Sequence, residues 1–134
     1  MTLYHLYGDD AGETHLMPIE LTLIDAAASG EGEGSANRVR SGPRFSAFDA
    51  GYAEIVDPLQ DSGLHEAPRR ALIVVLRGGY YIKTTAGDEV TLQGGDCMFA
   101  DDVDTKGHWS WEVGDEPMIM MSIGVPDEFE LPGA

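Results

Sequence analysis

Ala71-Leu-Ile-Val-Val-Leu-Arg77, Gly78-Gly79, Tyr80-Tyr-Ile-Lys-Thr84, Ala86-Gly87-Asp88, Glu89-Val-Thr-Leu92, Gly94-Gly95-Asp96, Cys97-Met-Phe-Ala100 is the stretch that decides the fold. Apolar and β-branched runs of strand length alternate with glycine-rich turns about every ten residues. That rhythm belongs to all-β sandwiches and barrels. It continues downstream: His108 to Val113 reads as a strand, Gly114-Asp-Glu-Pro117 as a turn, and Met118 to Val125 as the last strand. Upstream, Gly51 to Val56 is a strand broken by Asp57-Pro58. Nearer the start, Thr2 to Tyr7 and Glu20 to Ile24 are two more candidates, with Gly8-Asp-Asp-Ala-Gly12 a turn. No segment longer than about ten residues carries a helical period.

The 134 residues make one domain with no internal repeat. Residues 1–44 read as an N-terminal extension. Within it, about 26–43 form a flexible Gly/Glu-rich loop that has too little apolar content to bury itself. No Gly-Lys-Ser/Thr follows its spaced glycines, so they are not a phosphate loop. Residues 126–134 read as an acidic tail.

Charge narrows the partners. With 24 acidic against 8 basic residues, the net charge is −16. Neither nucleic acid nor an anionic membrane surface is an expected partner, because both need a basic face. Cys97 is the only cysteine, which rules out an intrachain disulfide and fits a reducing, cytoplasmic setting. The N-terminus has no signal-peptide pattern, and the longest apolar run, Ala71 to Leu76, is far too short to span a bilayer as a helix.

From His65 to Pro117 the chain resembles the cupin family. Gly78 fits the glycine of that family's first motif. Counting back from it, Ala71 stands at the glutamate position, Ala67 at the second histidine and His65 at the first. In the second motif, Gly95-Asp96 fits the turn, His108 fits the histidine and Glu112 stands at the asparagine position. His65-Glu-Ala-Pro-Arg-Arg70, Thr105-Lys-Gly-His108 and Gly114-Asp-Glu-Pro117 are similar to segments of small bacterial single-domain cupins. The resemblance implies a double-stranded β-helix, or jelly-roll barrel, with a cavity for a small-molecule ligand. It also implies a homodimer, for which Trp109, Trp111 and the Leu72/Val74/Leu76 side of a strand offer an outer apolar face.

Metal-bearing members of that family hold an ion with three histidines and a carboxylate. Alanine at 67 and 71 removes two of the four donors. No cofactor is therefore expected, and the minority possibility is a divalent transition metal at His65, His108 and Glu112, the last two of which share strand parity. As catalytic residues, His65, His108 and Glu112 offer proton transfer near neutral pH. Arg69 and Arg70 are candidate clamps for a substrate anion, though either could equally pair with one of the many carboxylates. Of Tyr80 and Tyr81, alternation sends one inward. These residues suit an isomerase, lyase or cyclase acting on a small oxygenated or anionic molecule. The alternatives are a metal-dependent dioxygenase and a non-catalytic binding or sensor domain. His5 and His15 read as surface or packing residues, and Cys97 as inert.

Overall fold

A computed structural model describes residues 3–20, 23–25, 40–41, 45–47, 49–55, 63–132 and 134. Its elements are all strands: β1 (Leu3–Gly8), β2 (Thr14–Ile19), β3 (Ile24–Asp25), β4 (Arg40–Ser41), β5 (Ala50–Ile55), β6 (Ala71–Arg77), β7 (Gly79–Thr84), β8 (Glu89–Gln93), β9 (Cys97–Asp101), β10 (His108–Val113) and β11 (Met118–Gly124). Among the described residues there is no helix, and so none long and apolar enough to cross a membrane.

Two sheets carry the fold, six strands in the order β2-β1-β9-β6-β11-β5 and three in the order β10-β7-β8; β3 and β4 form a separate pair. Every pairing is antiparallel except β1 with β9. Alternation along each strand divides the side chains between two faces. Leu6, Val75, Ile82, Leu92, Met98 and Met118 point inward and are almost wholly buried. Each such side chain contributes about 1.5–3 kcal/mol by leaving water.

The first residues are not peripheral. β1 lies inside the larger sheet, between β2 and β9. Thr14–Ile19 is a strand; of the candidate Glu20–Ile24, Leu21 and Thr22 lie outside the described residues and Ile24 begins β3. β2 makes a hairpin with β1 around a turn in which Asp9 Oδ1 accepts from the Ala11 and Glu13 amides at 2.9 and 3.1 Å. Most of the Gly/Glu-rich loop lies outside the described residues, but Arg40–Ser41 within it pairs with Ile24–Asp25.

The expected acidic tail is a packed segment. Phe129 is buried against Phe99 and Phe45, and together with Val125, Leu72 and Leu131 they form a second apolar cluster on the outer face of the larger sheet. The acidic residues between them face water while the apolar ones anchor the chain.

Candidate functional site

The site forms where the segment from His65 to Arg70 crosses between the two sheets. His65 and His108 face each other as an isolated backbone bridge. The His65 amide donates to the His108 carbonyl at 3.0 Å, and the His108 amide to the His65 carbonyl at 2.7 Å. Gly107 permits this approach: its φ is +86°, and a Cβ there would sit 2.5 Å from the His65 carbonyl. The bridge brings the two imidazoles to a centroid distance of 4.5 Å, tilted by 56°.

Each imidazole is oriented through Nδ1. His108 Nδ1 lies 2.6 Å from Oδ2 of Asp102, a fully buried carboxylate. As a carboxylate Asp102 only accepts, so Nδ1 carries the hydrogen and Nε2 is left as the basic nitrogen. The other Asp102 oxygen accepts from the Ala67 amide at 3.2 Å, tying the crossing segment to the same anchor. His65 Nδ1 lies 2.9 Å from the Gly63 carbonyl, which again can only accept.

A polar chain then runs inward. The Tyr80 hydroxyl donates to Ser110 Oγ at 2.9 Å, and Ser110 Oγ stands 3.5 Å from His65 Nε2. Burial pushes the Tyr80 phenol above its ordinary value; the Ser110 bond opposes this, and the charges of Glu112 and Asp102 add to it. Tyr80 therefore keeps its proton at neutral pH and acts as a donor.

His65, His108 and Tyr80 open onto a cavity of about 360 Å³. Tyr80 and His108 come from the smaller sheet. Ala71, Ile73, Met98, Ala100, Met120 and Ser122 come from the larger one, and Ala67, Pro68 and Arg69 complete the wall beside His65. Pro68 and Arg69 also border a larger, shallower groove of about 860 Å³ on the surface. In that groove Arg70 is bound to a carboxylate and to the backbone. Arg70 Nε donates to Asp101 at 2.6 Å, and the Arg70 guanidinium donates to the carbonyls of Pro126, Asp127 and Phe129 at 3.3, 2.7 and 2.8 Å.

Of the residues singled out from the sequence, His65, His108, Arg69 and Tyr80 meet at the cavity. Three stand elsewhere. Arg70 faces outward and fastens the C-terminal segment, following the alternation that turns Arg69 toward the cavity. Tyr81 lies on the outer face of the smaller sheet, its ring 4.3 Å from that of Trp111 and tilted by 39°, with its hydroxyl donating to Glu89 at 2.6 Å. Glu112 has the parity of His108 but pairs across the sheet with Tyr80. Four residues along a strand is about 13 Å, and Glu112 lines a separate hollow with Ile55, Asp115, Glu116 and Met118. His65, His108 and Glu112 therefore do not make a ligand set. Among the described residues no three His, Cys, Asp or Glu side chains gather as a metal site.

Sequence reading missed Asp102 and Ser110. Asp102 sits in the acidic run Asp101-Asp102-Val103-Asp104, which looks like solvent-facing charge. The usable signal was alternation: Met98 and Ala100 point inward, and Asp102 continues their parity. Ser110 likewise shares the parity of His108. His5 is more than a packing residue, for its Nε2 lies 3.0 Å from Asp101 Oδ2 while its ring stacks on Tyr7 and Phe99. Compared with known proteins, the chain matches no family model and no curated protein.

Proposed function

We propose that the chain is a jelly-roll enzyme of the cupin kind that moves protons on a small oxygenated or anionic organic molecule, as an isomerase, lyase or cyclase does. The observation that carries this reading is the buried Asp102–His108 pair beside a second oriented histidine on one cavity. A carboxylate-oriented imidazole is a general base at neutral pH. His108 Nε2 takes a proton from a carbon next to a carbonyl, and the imidazolium that forms is stabilised by Asp102. The Tyr80 hydroxyl, which keeps its proton, turns from Ser110 to donate to the developing oxyanion, and the proton returns from His108 to another carbon or to a leaving group. A metal-dependent oxygenase fits less well, since Ala67 and Ala71 line the cavity without donor atoms. The lone Cys97, its thiol pushed up by burial and by Asp96, suits a reducing cytoplasmic setting.

The test is solvent exchange. A panel of small enolisable ketones and acids is incubated with the protein in D2O and followed by proton NMR. The parent speeds exchange at the carbon beside the carbonyl, and His108→Gln lowers the rate by about 10²–10⁴-fold while ligands still raise the melting temperature. If the parent does not speed exchange, the cavity is a binding site without catalysis; if His108→Gln speeds it as much as the parent does, His108 is not the base.

A further inference from the structure

Arg69 is held differently from Arg70. Among the described residues its guanidinium makes one ion pair, Nη1 to Asp49 Oδ2, and one long contact, Nη2 to Ser122 Oγ at 3.5 Å. Asp49 is a surface residue, its side chain 64% exposed. Arg69 is nonetheless seated rather than loose. Its guanidinium lies on β11 over Gly124, where a Cβ would stand 3.2 Å from Nε and 3.3 Å from Cζ. The absence of a side chain at 124 makes the seat. Arg69 also belongs to the wall shared by the cavity and the outer groove, so it meets whatever enters. Apart from Arg69, the two imidazoles, Tyr80 and Ser122, the walls of the cavity are apolar, Ala67, Ala71, Ile73, Met98, Ala100 and Met120 among them.

We propose that Asp49 is a stand-in carboxylate, and that the cavity takes monocarboxylates with an apolar body, whose carboxylate displaces Asp49 from Arg69 on entry. The inference rests on the reading of the cavity as a substrate site, not on any reaction there. The exchange replaces one charge-assisted pair by another of the same geometry. Asp49 returns to water at little cost, since an exposed ion pair is worth at most a few-fold in affinity. A neutral ligand cannot make the swap. A second carboxylate lying along the aliphatic part of the wall would be stranded without a partner. Charge at one end and an apolar body at the other are thus both required.

Titration calorimetry with cinnamate and its neutral amide, cinnamamide, tests the swap. Removing the competitor with Asp49→Asn tightens cinnamate by about two- to fivefold and leaves cinnamamide unchanged; Asp49→Ala acts in the same direction. Arg69→Met weakens cinnamate by more than about tenfold and brings it level with the amide. The proposal is overturned if Asp49→Asn leaves cinnamate unchanged or weaker, if both probes shift together, or if the parent binds neither. Binding shifts of the expected kind without proton exchange in the D2O experiment would defeat the catalytic reading and leave this one standing.

Discussion

A carboxylate sealed from solvent persists only when its oxygens are bonded, and both Asp102 oxygens are used, one by the His108 imidazole and one by the Ala67 amide. That double use makes the residue a sensitive probe. In Asp102→Asn the amide oxygen can still accept from Ala67, but the NH2 group faces His108 Nδ1 and donates to it. The imidazole must then move its hydrogen to Nε2, the nitrogen needed as base. Proton exchange is expected to fall by about 10²–10⁴-fold, with the tautomer change visible in the 15N NMR shifts of His108. An unchanged rate with the tautomer reversed would remove His108 from the chemistry. At this scale the two histidines were legible, because they stand at the histidine positions of the pattern the sequence resembles, counted from Gly78 and Gly95-Asp96. Asp102 was not, because one carboxylate among 24 acidic residues carries no mark of burial. Glu112 shows the opposite failure: parity gave its side of the strand, but parity contains no information about distance along it.

Among the elements, the segment after β11 depends most on a few polar contacts. Arg70 grips three of its carbonyls and is itself paired with Asp101. Burial alone would raise the Asp101 carboxyl, but hydrogen bonds from His5 and Arg70 outweigh it and hold it below the ordinary carboxylate value. A carboxyl depressed by folding adds stability that is complete above its unfolded value and drains away as pH falls through the folded one. Below about pH 4, residues 126–132 should therefore loosen before the sheets do. Hydrogen exchange by mass spectrometry, corrected for the intrinsic rate, is expected to show early loss of protection there while β6 stays protected. Asp101→Asn should show the same loss at neutral pH, and equal protection in that variant would reject the latch. The strands themselves were largely readable from Gly51 onward, where glycine turns and β-branched runs agree. β2 was missed because Pro18 interrupts its pattern; the strand tolerates proline because it lies at the sheet edge. The packing of the C-terminal segment was hidden by its acidic residues, which outnumber Phe129 and Leu131.

For the molecule as a whole, self-association turns on exposed apolar surface. The outer face expected to support a homodimer is partly spent, since Leu72 is covered by the C-terminal cluster. Among the described residues, large apolar side chains left exposed include Leu76 and, on the edge strand β5, Tyr52, which is 82% exposed. A strand edge with an exposed aromatic side chain favours pairing with a second copy. Opposing it is the charge of −16 on each chain, a repulsion that salt screens. Light scattering should therefore find a homodimer whose fraction rises between low salt and about 0.5 M NaCl, and Tyr52→Glu should shift it toward monomer. A monomer-sized particle at every salt concentration would exclude the pairing. The parallel contact of β1 with β9 bears on a different property, the time the chain takes to fold. Leu3 pairs with Cys97, more than ninety positions later. On a ribosome adding about 5–20 residues per second, the β1–β2 hairpin waits several seconds with Tyr4 and Leu6 uncovered. Closure of so long a loop places this protein among the slow folders. During that interval the nascent hairpin is the natural target of a chaperone, and the acidic residues of its turn help keep it apart from its neighbours on the same message.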